Sequence, residues 1–371
     1  MNKAKNVTED LLKGTDITLN GDAPYDPQVH DERLYGRILH KGSLGLGEAY
    51  MDGWWDCDQL DEFFTKLLSA ELEKKVKGDF GIAFKIALTA LTSMGRKSKA
   101  FEVGEAHYDA GNDLYRAMLD PRLAYTCGYW KEADNLADAQ EAKLDLVCRK
   151  IGLTQGQKVL DVGSGWGSFT SYATEKYGVA ATGLTVSKEQ KLYSDQNYKD
   201  LPIETRLQDY RDIEGQFDAV VSLGMFEHVG YKHYRTYMEV MHNTLKDNGL
   251  FLLHTIGCNT SVRGTDPWID KYIFPNGMLP SIGQIGSSIE GLFVVEDWHN
   301  FGSDYDKTLM AWHNNFEARW PLLRQKYDER FYRMWRYYLL LCAATFRARK
   351  NQLWQIVLSK KGVPGGYQSI R

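Results

Sequence analysis

The stretch Val159-Leu-Asp-Val-Gly-Ser-Gly-Trp-Gly167 sets a carboxylate, Asp161, two residues ahead of three alternating glycines, Gly163, Gly165 and Gly167. Glycines at that spacing let a chain turn tightly and let a ligand reach the backbone where a Cβ would otherwise stand. Two later apolar runs also end in residues able to move protons, one at Glu227-His228 and one at His254. Each has an ordinary use as well. Glu227-His228 suits a capping pair at a strand-to-helix turn, and His254 a satisfied core histidine.

The glycine turn alone is shared by nicotinamide, flavin and S-adenosylmethionine sites. Three details favour the last. Asp161 is placed to orient the turn or to meet a ligand ammonium. Ser168 stands where the dinucleotide pattern G-x-G-x-x-G needs a third glycine. After the next strand, Gly183-Leu-Thr-Val-Ser-Lys-Glu-Gln190 has no acid for ribose hydroxyls before the helix begins, so Thr185 and Gln190 are the polar groups on offer. In Leu207-Gln-Asp-Tyr-Arg-Asp212, Gln208 stands beside Asp209, which can accept from an adenine amino group, and Tyr210, which can flank the ring. Turn and capping chemistry is the plain alternative for each of these residues, and it is their combination that favours the cofactor.

These residues need strand ends to hold them. Strands are expected at Lys158–Val162, Ala180–Leu184, Ile203–Leu207, Ala219–Leu223 and Gly249–Thr255, separated by helical stretches such as Tyr234–Leu245. That alternation predicts an α/β, doubly wound, mostly parallel Rossmann-like sheet, with ligands at the carboxyl ends of its strands. Phe293–Glu296 and Trp354–Leu358 are expected to pair as a closing antiparallel edge.

Ahead of this lies a small, mostly helical N-terminal accessory domain over residues 1–79, then a linker helix and basic segment over 80–100. The catalytic domain is expected over 101–371. In the accessory domain Ile17–Leu19 reads as a short strand and Asp31–Leu39 and Asp61–Leu68 as helices. The glycine-punctuated 42–55 stretch reads as a sharp turn, and no metal-ligand spacing is evident. The segment Phe80–Met94, followed by Gly-Arg-Lys-Ser-Lys99, has a broad apolar face and a basic tail. It fits an inter-domain helix, and it also fits an interfacial membrane contact.

The 371 residues carry a formal charge of −4 and five scattered cysteines without a C-x-x-C pair. A nucleic-acid partner is not expected from that charge, nor a disulfide framework from those cysteines, and a reducing cytoplasm is the simplest setting. No apolar run approaches the roughly 20 residues of a membrane span, and the first residues do not read as a signal peptide.

Taken as blocks, "EAHYDAGNDLYRAMLDPRLAYTCGYW", "VLDVGSGWG", "GLTVSKEQ", "LQDYRD", "VSLGMFEHVGYKHY", "LLHTIG", "DPWIDKYIFPNGMLPS", "VEDWHNFGSDYDKTLMAW" and "FRARKNQLWQIV" resemble, in order, the cyclopropane-fatty-acyl-phospholipid synthases. The resemblance extends over nearly the whole chain and implies a class I S-adenosylmethionine methyltransferase fold. It implies methylene transfer from S-adenosylmethionine to the cis double bond of unsaturated acyl chains in membrane phospholipids. It also implies a bound bicarbonate as base, a homodimer, and peripheral association with the inner face of the membrane.

Carried over residue by residue, the bicarbonate cradle implied is Cys127, Glu227, His254, Ile256 and Tyr305. His254, Tyr305 and the backbone N–H groups of Cys127 and Ile256 would donate to the anion, and Glu227 would accept its hydroxyl proton. Tyr125 and Thr126 join the cofactor set beside Asp161, Gly163, Ser164 and Gly165. Thr126 replaces a more usual serine, and Ser164 a more usual cysteine. Cys342 also matches a family cysteine, but its apolar neighbours suit an inert thiol. The competing readings are a relative that forms methyl-branched lipids, an O- or N-methyltransferase with no need of an anion cradle, and a non-catalytic protein that binds cofactor and membrane.

Overall fold

The computed structural model describes residues 2–72 and 111–371. The expected linker over 80–100, and the start of the block at Glu105, lie outside the described residues. The centre is a seven-stranded sheet in the order β5-β4-β3-β6-β7-β9-β8. Its strands are β3 Lys158–Val162, β4 Ala180–Thr185, β5 Ile203–Leu207, β6 Phe217–Leu223, β7 Leu245–Cys258, β8 Val294–Asn300 and β9 Asn351–Ser359. The first five run parallel, with Val159 opposite Ala181 and Ala219, and Leu223 opposite His254. The order reverses between β3, which leads to β4 on one side, and β6 on the other, so the glycine turn after β3 opens at the switch point.

Helices cover both faces because the strands alternate buried side chains to each. On one face Val159, Ala219, Val221 and Leu252 pack under the helices Leu136–Lys150 and Ser168–Tyr177. On the other, Leu160, Val220, Phe251 and Leu253 pack under Tyr234–Thr244 and Ile282–Ile289. The late strands pair antiparallel as expected, Val295 opposite Leu358. β9 lies between β7 and β8, however, so of these two late strands β8 is the one at an edge, the other edge being β5.

Residues 2–72 form the helices Asn2–Leu12, Arg33–Met51 and Leu60–Ser69, with a two-residue ribbon of β1 Gln28–Val29 and β2 Trp55–Asp56. Two expectations are corrected here. Residues 17–19 form a loop, tied by Thr15 Oγ1 to the Ile17 N–H at 3.2 Å and by Asp26 Oδ1 to the Thr18 N–H at 2.8 Å, so no partner strand is needed. The glycine-rich stretch is helical as far as Met51, bent once at Gly42, whose φ of 56° breaks the helix locally. This N-terminal unit shares one core with the later part of the chain: Trp55, Phe63 and Phe64 sit with Trp268, Trp312 and Tyr337. Among the described residues no helix is long and apolar enough to cross a membrane.

Candidate active site

The glycine turn after β3 borders a cavity of about 520 Å³, counting its open mouth, lined among others by Tyr125, Thr126, Asp161, Ser164 and Gln190. Gly163 has φ 86°, and a Cβ there would stand 2.7 Å from Met225 Cγ, so the turn requires glycine. The N–H groups of Gly163 and Ser164 bond to Leu184 O at 3.1 and 2.8 Å, which fastens the turn to β4. Gly165, with φ 56°, also lines the cavity, and a Cβ there would meet open space. Asp161 points to the face covered by the helix Leu136–Lys150. It is 2% exposed, and its Oδ1 lacks a hydrogen-bond partner. Burial pushes its carboxyl up to about 7, against the attraction of Lys143.

Gln190 is set by the start of its helix. The Ser187 side chain accepts from the Gln190 N–H at 3.3 Å, and Thr185 Oγ1 donates to Gln190 Oε1 at 2.7 Å. Thr185 therefore acts behind Gln190. Gln208, Asp209 and Tyr210, at the end of β5, do not line this cavity. Asp209 caps the following turn by accepting from the Arg211 N–H at 2.9 Å, and it pairs with the Arg211 guanidinium at 2.7 Å. Tyr210 packs against Tyr237 with ring centres 4.9 Å apart, and Gln208 Nε2 donates to Asp212 O.

A second group lies at the ends of β6 and β7. Glu227 Oε1 accepts from the Ile256 N–H at 2.7 Å, while Oε2 is buried without a partner. The Ile256 N–H is thus given to Glu227. Burial pushes the Glu227 carboxyl up to about 7, against the Ile256 bond. His254, two residues before Ile256 on the same face of β7, sits directly across from Gln355 on β9. Gln355 Nε2 meets His254 Nδ1 at 3.3 Å, and His254 Nε2 is buried without a partner. Burial, reinforced by the charges of Lys143 and Lys150, holds this imidazole well below its ordinary value, so it is neutral at pH 7. With Nδ1 accepting from Gln355, the proton belongs on Nε2, a donor in want of an acceptor.

Tyr305 is buried in an aromatic wall, its ring 4.6 Å from Phe346 and 6.0 Å from Trp312. Tyr125 continues the wall, 5.1 Å from Trp312, with its hydroxyl 2.8 Å from that of Tyr338. Cys127 is fully buried, its Sγ 3.1 Å from Gly128 O, and burial raises its thiol well above the ordinary value. Cys342 is half-buried against the same core, its thiol pushed up to about 12 by burial, the state of an unreactive cysteine.

Three residues of this region escape a reading of motifs. Lys143 is 0% exposed, and its ammonium donates to Thr126 Oγ1 at 2.8 Å. Burial lowers it to about 8, against the pull of Asp120, Cys127 and Asp161. Gln140 Nε2 donates to Thr126 O at 2.7 Å, holding the Tyr125–Cys127 loop from behind. Gln355 fixes His254. The available signal was polarity out of place: Gln140 and Lys143 ride the apolar stripe of their helix, and Gln355 interrupts a strand buried on both faces.

Residues 95–356 match the family described as mycolic acid cyclopropane synthetase. The chain is 51% identical over 365 residues to the cyclopropane-fatty-acyl-phospholipid synthase of Escherichia coli K12, covering 98% of this chain and 95% of that one. It is 33% identical to a probable fatty acid methyltransferase of Pseudomonas putida, covering 91% and 87%. Among solved structures, the mycolic acid cyclopropane synthase CmaA1 complexed with SAH and CTAB superimposes with a TM-score of 0.66 at 32% identity, over 71% of this chain and 99% of that one.

Proposed function

Because the chain belongs to the mycolic acid cyclopropane synthetase family, we propose that it converts the cis double bond of unsaturated phospholipid acyl chains into a cyclopropane ring. One observation carries this reading. At adjoining strand ends, a buried carboxylate oxygen of Glu227 and a buried imidazole nitrogen of His254 both lack partners, near a glycine-turn cavity over an unpartnered Asp161. Buried polar atoms without partners are rare, and clustered ones mark where a ligand completes the hydrogen bonding.

The residues bordering the cavity after β3 fit S-adenosylmethionine, which would supply an electrophilic methyl group able to react with a weakly nucleophilic alkene. Asp161 would accept from its ammonium, and Gln190 and the backbone at Gly165 would hold its amino-acid end. The rings of Tyr125, Trp312 and Tyr305 offer faces that stabilise positive charge. Ring closure needs a base that takes a proton from the transferred carbon. The unpartnered atoms fit bicarbonate in that role: Glu227 Oε2 would accept its hydroxyl proton and neutral His254 would donate from Nε2. Tyr305 adds a hydroxyl. Cys127 lies on the loop that Gln140 braces, and its contribution is through its backbone. The buried Lys143 ammonium, whose charge acts on both Asp161 and His254, offsets negative charge held near them.

We further propose that the chain works at the cytoplasmic face of the membrane as a homodimer. The likeness to a fatty acid methyltransferase keeps methyl branching as the second reading. Cofactor carrying a trideuterated methyl group, with vesicles of mono-unsaturated phospholipid, separates the two. Two deuteria in a product lacking the alkene are expected. Three would assign the chain to the branching class.

A further inference from the structure

Three residues beyond Glu227, the chain enters a second cavity, about 790 Å³ with its open mouth, bounded by Lys232, His233, Arg263, Asp270 and Met278. Its floor belongs to the Glu227 turn. The Met278 N–H donates to Glu227 O at 2.8 Å, and Tyr234 Oη to Met278 O at 3.3 Å. Three residues span at most about 11 Å, so Gly230 on the cavity wall lies within that distance of Glu227.

The chemistry of the walls is specific. Lys232 and Arg263 are exposed, and among the described residues neither forms an ion pair. Both lie against the Tyr231 ring, each cation 6.0 Å from its centre. Asp270 is tied down by the Asn276 N–H at 2.8 Å. Two cations and one carboxylate suit a monoanion better than a dianion. Apolar side chains are exposed close by: Tyr231 on the cavity wall and Val262 next to Arg263 are each 37% exposed, and Ile282 58%. Ser261 and Ser281, whose hydroxyls meet at 2.7 Å, tie the Val262 loop to the start of the Ile282 helix. A soluble polyanion would leave these apolar tips unexplained. A bilayer uses both features, since tips enter the interface while cations meet headgroup phosphate. The chain as a whole carries −4, so attraction to an anionic surface must come from such a local patch.

We propose that this cavity and its rim seat the phosphodiester headgroup of a lipid still resident in the bilayer, so that the acyl chain is presented to the Glu227 turn. The inference rests on the reading of the chain as a lipid-modifying enzyme and names the surface through which it meets its substrate.

The test is co-sedimentation of the full chain with vesicles of mono-unsaturated phosphatidylglycerol, for the parent, K232E/R263E and I282D. S-adenosylhomocysteine affinity serves as the check that each variant is folded. Both variants should lose at least fivefold in vesicle partition while keeping parent-like S-adenosylhomocysteine affinity. Parent-like partition in both overturns the proposal. If a variant fails to bind S-adenosylhomocysteine, salt titration of the parent decides. Partition should fall at least fivefold between about 50 and about 500 mM NaCl, because salt screens exposed charges. Salt-independent partition overturns the proposal. The deuterium count is read separately on the parent. Three retained deuteria with lost partition in the variants reject the ring-forming reading and leave the docking surface standing. Two deuteria with parent-like partition reject the docking surface alone.

Discussion

On the proposed function, Glu227 concentrates the chemistry of the site into one side chain. It anchors Oε1 on the Ile256 N–H and keeps Oε2 buried and unpaired. Burial raises its carboxyl from 4.5 to about 7, so the folded chain holds a proton that the unfolded chain releases near 4.5. Between those values the folded state binds more protons, and stability therefore falls as pH rises from 4.5 to 7. The shift is worth about 3 kcal/mol. Glu227→Gln removes that titration. In urea unfolding without ligands, the variant should gain about 3 kcal/mol on the parent between pH 4.5 and pH 8. A constant difference would mean that Glu227 does not titrate in this window. The same variant should lose at least about 100-fold in turnover, with a much smaller change in S-adenosylhomocysteine affinity. Full activity would remove it from the proton-handling role. Glu227 and His254 were legible as a pair because motif blocks name them. Lys143, Gln140 and Gln355 were not, because their roles depend on which strand faces which helix, a matter of tertiary register rather than local spacing.

Elements carry the site through close approaches that few residues permit. The helix Arg33–Met51 meets Trp268 at Gly47, where a Cβ would come within 2.4 Å of Trp268 Cδ1. Trp268 is fully buried, with its ring 4.5 Å from that of Tyr337, and cannot retreat. Alanine in a helix gains up to about 1 kcal/mol over glycine, while overpacking a rigid core costs about 1–3 kcal/mol. Gly47→Ala should therefore lose roughly 1–2 kcal/mol in urea unfolding. Gly36→Ala in the same helix meets nothing within 4 Å and should gain up to about 1 kcal/mol. Equal effects at the two positions would deny the close contact. This helix also shows where reading the sequence stopped. The strands β3, β4 and β6 were legible because mostly apolar runs of 5–7 residues alternate with helical spacing. Residues 43–51 were not. Their glycines signal a turn by propensity, yet Gly45 and Gly47 are helical because a neighbouring helix turn and a tryptophan occupy the space of their missing side chains. The loop at 17–19 misled in the opposite sense, since its β-branched residues are held by Thr15 and Asp26 instead of a partner strand.

At the scale of the whole molecule, the N-terminal unit braces the segment that holds the Glu227 turn. Arg333, on the helix Glu329–Arg347, reaches Trp55 O at 2.8 Å, and Arg347 reaches Asp61 and Glu62 at 2.7 and 2.8 Å. Glu48 is the buried centre of the seam. Its carboxylate accepts from Lys271 at 2.6 Å and Tyr272 at 3.1 Å on one oxygen, and from Arg37 at 3.0 Å and Lys41 at 3.1 Å on the other. Burial opposes its ionisation, but the bonds from Lys271, Lys41 and Arg37 outweigh that and hold the carboxyl at about 2. A depressed carboxyl stabilises the fold above the unfolded value of 4.5, and the contribution is lost as pH falls toward 2. The shift corresponds to about 3 kcal/mol. Glu48→Gln should accordingly unfold about 3 kcal/mol more easily than the parent at pH 7 and converge on it as pH approaches 2. A difference that stays constant with pH would assign the loss to packing instead of charge. Lys271 and Tyr272 lie on the helix Pro267–Tyr272, and a few residues later the Met278 N–H holds the Glu227 backbone. Loosening Glu48 therefore loosens the support of the Glu227 turn, and in Glu48→Gln turnover should fall with temperature in step with the loss of the folded seam. Turnover that tracks the parent through the variant's own melting range would uncouple the N-terminal unit from the site.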